Sequence, residues 1–378
     1  MSNSNPPNKK NNKKKRVIHI SSEEDSPPPK RTIVHKPHIY FDDNDDELDL
    51  INTILGLNYQ EDKRELVTIV KEINNLQDLI DLGKMYDITK RYNIDLETLN
   101  KLVNPLTELN NMIGMENVKE DMVDHILFKI QKLDDTNNDM MHTVIQGPPG
   151  VGKTELAKII GKIYLAMGIL RNDVFIKATR SNLIAGYLGQ TAKATQKIID
   201  SASGGILFID EVYSLGNTEK RDSFSKECID TINENLTSLR TDFICIIAGY
   251  KEEITSCFFS YNPGLERRFP VRFTIEPYNA NDVFLIFKKK VLDGGWEMNE
   301  SITINFFNNN FEYFKYFGGD MEILFSRCKR AHSRRIFGVD ETQKKILNIT
   351  DLKKGFETFK NHREEKKEKD ESWKNMYI

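Results

Sequence analysis

Four side chains in this sequence are of types that handle phosphate and water together: Lys153, Thr154, Asp210 and Glu211. The first two close the segment Gly147-Pro148-Pro149-Gly150-Val151-Gly152-Lys153-Thr154. Its glycines let the main chain curl until the N–H groups point inward at an anion. An apolar run, Thr143-Val144-Ile145-Gln146, precedes it. Leu156, Ile159, Ile160, Ile163 and Met167 follow at helical spacing. Strand, glycine loop and helix in that order also bring the positive end of a helix dipole to the anion. Every required position of the P-loop pattern is filled, so Lys153 is expected to reach the β- and γ-phosphates of ATP and Thr154 to hold Mg²⁺ through its hydroxyl. The second pair follows about 56 residues later, in Gly205-Ile206-Leu207-Phe208-Ile209-Asp210-Glu211. Ligands of open α/β sheets bind at the carboxyl ends of strands, where these two acids stand. Asp210 is expected to hold the Mg²⁺ through a water, and Glu211 to polarise the water that attacks the γ-phosphate. The expected reaction is Mg-dependent hydrolysis of ATP to ADP and phosphate.

Such a site needs strands to carry it. Apolar runs near 143–146, 174–179, 206–209, 243–248 and 271–275 alternate with helical patterns. That alternation predicts a parallel sheet covered by helices on both faces, an α/β fold over residues 106–279. Beyond Pro277 the strand pattern fades, and 280–362 is expected to be a smaller all-α domain broken at Gly294-Gly295 and Gly318-Gly319. Residues 363–378 form a charged tail. Upstream, 38–105 reads as a helical region: Leu66, Ile69, Val70 and Ile73, then Leu76, Leu79, Ile80 and Leu82, recur at helix spacing. Asp42 to Asp49 is an acidic linker. Residues 1–37 are poor in large apolar side chains and are expected to be disordered. They hold a basic cluster, Lys9 to Arg16, readable as a nuclear signal, a nucleic-acid arm or a solvated tail. The segment Val17-Ile18-His19-Ile20, followed by Ser21 to Asp25, resembles a SUMO-interacting motif.

Bulk properties narrow the partners. Among 378 residues there are 54 Lys and Arg against 57 Asp and Glu, a net charge of −3. This balance gives no reason to invoke a nucleic-acid or membrane partner. No apolar run approaches the roughly 20 residues of a bilayer-spanning helix. The four cysteines, Cys228, Cys245, Cys257 and Cys328, have no metal-ligand spacing and read as reduced thiols. The expectation is a soluble intracellular protein of cytoplasm or nucleus.

Taken together, several segments resemble the AAA+ ATPases, and within them the CbxX/CfxQ group. They are Gly147–Thr154, Leu183–Ala192, Gly205–Leu215, Phe224–Ile232, Ile247–Tyr250 and Asn262–Pro270, in family order over roughly 106–335. The resemblance implies a ring, hexameric in the family, with nucleotide between neighbouring copies and a protein target remodelled through the ring. By the same resemblance Arg268 is the arginine finger supplied in trans, Arg267 being the weaker candidate. Ile113 and Gly114 pack on the adenine, and Tyr187, flanked by glycines, is the pore-loop aromatic. A permanent cation suits the first role because charge spreads over the transferred phosphoryl oxygens.

Two positions depart from the family pattern. The arginine expected in a Phe-Gly-Asn-Ala-Arg segment of the lid is Met321 in Phe317-Gly318-Gly319-Asp320-Met321; Arg327 or Lys329 are the alternatives for its role. The polar residue expected after the fourth strand is Tyr250 or Lys251. Two further readings stay open: a nucleic-acid-associated ATPase or loader using the basic tail, and a nucleotide-gated scaffold with weak hydrolysis.

Overall fold

The computed structural model describes residues 64–133, 140–187, 189–216, 222–338 and 344–375, with side chains up to Glu364. The basic cluster, the Val17–Asp25 segment and the acidic linker lie outside the described residues, as does the disorder expected of 1–37.

The described chain begins with strand β1 (Glu65–Val67), helix α1 (Leu76–Lys84), strand β2 (Lys90–Tyr92) and helices α2 (Leu96–Asn110) and α3 (Glu116–Ile130). Asn75 and Asp95 cap α1 and α2, accepting from the N–H groups of Asp78 and Thr98 at 3.1 and 3.0 Å. Leu76, Leu79, Ile80 and Leu82 are buried, as their spacing predicts. The preceding run is not a helix, and this corrects the sequence reading. Leu66 sits in β1, paired in parallel register with Arg91 of β2. Beyond it the backbone is neither helix nor strand, and the Asn93 carboxamide accepts from the Ile69 N–H at 2.7 Å and donates to the Ile69 carbonyl at 3.0 Å. A side chain that satisfies both main-chain groups of one residue removes its need for a helical partner. Val70 is 92% exposed while Ile69 and Ile73 pack against the core, so the four residues do not form one buried helical face.

The main sheet follows: β3 (Thr143–Gln146), α4 (Lys153–Ala166), β4 (Phe175–Ala178), the short α5 (Arg180–Leu183), α6 (Thr191–Ser201), β5 (Ile206–Ile209), α7 (Ser223–Ser238), β6 (Ile244–Gly249) and, after short helical turns over 251–268, β7 (Val271–Thr274). The five strands lie in the order β4-β5-β6-β3-β7, all parallel. Successive side chains of a strand point to opposite faces. Accordingly Ile145, Ile206, Phe208, Ile246 and Ala248 join one buried cluster, while Val144, Leu207, Ile209, Cys245 and Ile247 join a second. Burial on both faces is what makes these strands read as unbroken apolar runs. His142, fully buried just before β3, accepts from the Cys245 N–H through Nδ1 at 3.0 Å and donates from Nε2 to the Leu236 carbonyl at 3.1 Å. Burial lowers its pKa to about 4, so the ring stays neutral and ties β3 to β6 and α7.

The last portion contains α8 (Ala280–Asp293), β8 (Glu297–Met298), α9 (Ile304–Asn309), α10 (Phe317–Arg335), β9 (Ile346–Leu347) and α11 (Ile349–Asn375). It is mostly helical, but β8 and β9 pair in parallel, so the expected all-α domain carries one short two-stranded ladder. Gly294 and Gly295 end α8, whereas Gly318 and Gly319 lie inside the first turn of α10. Phenylalanine fills the interior: Phe287, Phe307, Phe314 and Phe359 are essentially buried. Helix α2 runs unbroken through 105 and 106, and α1 and α2 belong to the same buried cluster as these phenylalanines and one sheet face.

Candidate active site

The glycine loop leaves the carboxyl end of β3 and turns into α4. Gly147 donates to the Gly249 carbonyl at 3.2 Å, which fixes the start of the loop on β6. Gly150 and Gly152 have φ of +76° and +92°, a region that L side chains rarely occupy. At Gly150 a Cβ would also stand 2.0 Å from the Tyr316 carbonyl oxygen. Lys153 folds back over the loop and donates to the carbonyls of Gly147 and Pro148 at 2.9 and 2.8 Å. Burial lowers its pKa, and Asp210 and Glu211 oppose that shift.

The two acids stand where the sequence puts them, at the end of β5. The Thr154 hydroxyl donates to Asp210 Oδ2 at 3.3 Å. Lys153, Thr154, Asp210 and Glu211 all line one cavity of about 770 Å³, together with Ile113 and the loop from Pro149 to Gly152. Gly147, Pro148 and Gly114 stand behind this lining rather than in it. Gly114 is pressed against Tyr278, whose hydroxyl donates to the Val151 carbonyl at 2.8 Å. Glu211 itself takes φ of +50°, a strained conformation of the kind that collects at functional sites. The oxygens of Thr154 and Asp210 are hard donors held side by side. They suit Mg²⁺, which is bound by one or two protein oxygens and completes its shell with water and phosphate.

Some participants carry no sequence signature. Lys177 of β4 reaches Asp210 Oδ2 at 2.8 Å, the same oxygen that Thr154 faces. Of the two residues left open after β6, Tyr250 is the one brought to the site. Its ring stacks on Tyr213 at 5.6 Å and lies 5.2 Å from the Lys153 ammonium. Burial raises the Tyr250 pKa, reinforced by Glu211 and Glu253, so its hydroxyl stays a proton donor near neutrality. From α8, Lys289 and Lys290 also line the cavity. Lys289 donates to the Asn111 carbonyl at 3.1 Å, and Lys290 pairs with Glu322 at 3.3 Å. Basic residues on an amphipathic helix are too common for any of these to be singled out in advance.

Five residues singled out in the sequence do not line this cavity. Met321 is fully buried in the lid interior. Arg327 lines a separate cleft of about 780 Å³ bounded by α10 and α11, and Lys329 lies over the Phe325 ring at 4.5 Å. Arg268 is bound elsewhere, donating from Nε to Thr237 Oγ1 at 2.7 Å and from Nη1 to the Gly264 carbonyl at 2.8 Å. Tyr187 is 76% exposed at the tip of the segment joining α5 to α6. The base of that segment is anchored. Arg180 donates to the Ser214 carbonyl at 2.7 Å and to Asp222 at 2.6 Å, and Thr195 donates to the Leu183 carbonyl at 2.9 Å. Ser214 is three residues beyond Glu211, so Arg180 links the acid-bearing turn to the exposed tyrosine's segment. The Ser225 hydroxyl and Arg180 hold the Asp222 carboxyl down at about 2.

Residues 143–277 match the ATPase family associated with various cellular activities (AAA). The chain is 44% identical over 292 residues to a cfxQ-like protein of Acanthamoeba polyphaga mimivirus, covering 75% of this chain and 72% of that protein. It is 34% identical to stage V sporulation protein K of Bacillus subtilis (strain 168), over 51% of this chain and 61% of the relative. It is 32% identical to the chloroplastic cbbX homolog of Guillardia theta, over 54% of this chain and 56% of the relative. Among the described residues no helix is long and apolar enough to cross a membrane.

Proposed function

This chain belongs to the CbxX/CfxQ-type AAA+ ATPases, and from that premise we propose that it hydrolyses ATP as a homo-oligomeric ring and remodels a protein target. The observation that carries the proposal is the meeting of Lys153, Thr154, Asp210 and Glu211 around one cavity between the sheet and the lid. In this reading the loop amides and the α4 dipole bind the phosphates. Lys153 gives up its two carbonyl partners and turns its ammonium to the β- and γ-phosphate oxygens. Thr154 and Asp210 would hold Mg²⁺, which supplies charge neutralisation across the phosphates when bound. Glu211 accepts the proton of the attacking water, with its strained backbone fixing the carboxylate's direction. Tyr250, above Lys153, donates its hydroxyl toward the same end of the nucleotide.

A hydrolysing site of this type also needs a cation opposite the leaving group. Within one copy Arg268 is held by Thr237 and Gly264, away from the cavity. By the resemblance to the family it acts on the neighbouring copy's nucleotide, which makes assembly a condition of turnover. Tyr187 is the group that contacts the target. Its ring is exposed, and an aromatic face grips an extended chain without requiring a particular sequence. The Arg180 network relays changes at the turn after Glu211 to the tyrosine's segment.

The test is Glu211→Gln. It should bind ATP as the parent does while turnover falls by roughly 10²–10³, the cost of losing one positioned group in such a site. In ATP the variant should accumulate as a large particle by light scattering. Unchanged turnover would refute the assignment of Glu211, and a monomer with ATP bound would refute the ring. One observation favours the second reading, a nucleotide-gated scaffold with weak hydrolysis: the lid offers Met321, buried, where an arginine is expected. Basal and target-stimulated ATPase rates, both low in that case, separate the two.

A further inference from the structure

The lid meets the glycine loop through its main chain. Gly318 donates to the Gly150 carbonyl at 3.0 Å, and the Tyr316 carbonyl lies where a Gly150 side chain would be. Two glycines on opposite elements leave room for backbone to rest on backbone. The turn that makes this contact is strained: Phe317, not a glycine, has φ of +38°. Such a conformation persists only where neighbours fix it. On one side the Phe317 ring packs edge-on against Tyr278 at 5.6 Å, and Tyr278 is bonded to Val151 of the loop. On the other side stands Asp320, 1% exposed. One of its oxygens accepts from the Tyr316 N–H at 2.8 Å, and the other accepts from Arg363 at 2.5 Å. Arg363 comes from α11, more than forty residues away. It also donates to the Tyr313 carbonyl and lies over the rings of Phe359 and Tyr316 at 4.9 and 5.4 Å.

We infer that the Asp320–Arg363 pair is a positioning device for nucleotide: it holds the Tyr316–Gly318 turn on Gly150, and so couples the lid and its last helix to the glycine loop without any arginine of the lid touching phosphate. Several observations converge on this. The position where an arginine is expected, Met321, is turned into the lid interior. From the start of α10, the residues that face the cavity are Gly318 and Glu322, neither of them a cation. Arg363 has five donors in a rigid fork, and here they serve an acid and a carbonyl at the two ends of one turn. The carboxylate is buried and bonded to a half-buried arginine and a backbone N–H, partners that give the charge a direction. Movement of α11 would then be felt at Gly150, and closure of the glycine loop on phosphate would be felt at α11.

The inference rests on the reading that this cavity takes ATP, and the experiment separates the two. Binding and release of a fluorescent ATP analogue are measured on the full chain, together with kcat and KM for hydrolysis and melting temperature without nucleotide. The variants are Arg363→Met, the charge-free double Asp320→Asn with Arg363→Met, Lys153→Met, and Arg335→Met. The last removes a different lid ion pair, Arg335 with Asp351 at 2.8 Å, away from the loop. Both Arg363 variants should weaken analogue binding about tenfold and speed its release, with KM moving more than kcat. The Arg335 variant should lower the melting temperature and leave binding within twofold of the parent. If the double variant binds and turns over like the parent, or if the Arg335 variant weakens binding as much, the pair has only a structural role and the inference falls. If the parent and Lys153→Met bind the analogue equally, the nucleotide reading itself falls.

Discussion

The two walls of the nucleotide cavity are built on different principles. The sheet wall presents side chains: Lys153, Thr154, Asp210 and Glu211 stand at the carboxyl ends of two buried strands, and each offers a charge or hydroxyl of a type the chemistry requires. The lid wall meets the glycine loop with peptide groups, at Gly318 and Tyr316, and its cations Lys289 and Lys290 are engaged with Asn111 and Glu322. A wall of side chains can be tuned one residue at a time. A wall of backbone responds only as a unit, when the helix behind it moves. On the functions proposed above, chemistry belongs to the sheet wall and conformational coupling to the lid wall.

The largest effect expected to separate the walls comes from Lys153→Met. Losing the one loop cation should cut kcat by roughly 10²–10³ with little change in melting temperature, because its ammonium hydrogen-bonds to two loop carbonyls and otherwise faces the Tyr250 ring. A loss of less than tenfold in steady-state turnover would mean that Lys289 or Lys290 shares its role and that the walls are not so distinct.

Next is Met321→Arg, which restores the residue type expected in the lid. At a fully buried site an arginine without an acid partner should destabilise the lid by about 3–5 kcal/mol, visible as a lower thermal or urea midpoint. Faster hydrolysis with an unchanged midpoint would show that this position does face nucleotide.

The smallest concerns pH and the sheet behind that wall. His142 has a folded pKa of about 4 against an ordinary 6.5. Its protonated form is favoured by the unfolded chain, so stability is lost as pH falls from about 6.5 toward 4 and is fully retained above that window. The shift corresponds to about 3 kcal/mol once pH is below both values. His142→Gln should flatten the urea midpoint between pH 6.5 and 4; an identical pH profile would contradict the buried neutral ring.

The same contrast explains what was readable beforehand. The strands at 143–146 and 206–209 are found as expected, because a strand buried on both faces must be apolar throughout. The phosphate loop and its acids are legible because the chemistry restricts both residue type and spacing. Tyr250 and Lys177 were not separable from their neighbours, since their roles depend on which strand end lies beside β5. The segment around Ile69 misled for a related reason. Its spacing fits a helix, but Asn93, more than twenty residues on, binds its backbone and satisfies the groups a helix would use. Contacts made by main chain leave almost no trace in residue type, so the Gly150–Gly318 contact emerges only in three dimensions.

Strand β3, which feeds the phosphate loop, is an interior strand: it pairs in parallel with β6 on one side and β7 on the other. Under the proposed action on a polypeptide, that placement has a mechanical meaning. Tension reaching the loop along β3 is opposed in shear by two ladders at once, whose bonds must yield together rather than peel one after another. The floor of the catalytic cavity should thus be among the last parts of the subunit to give way under load.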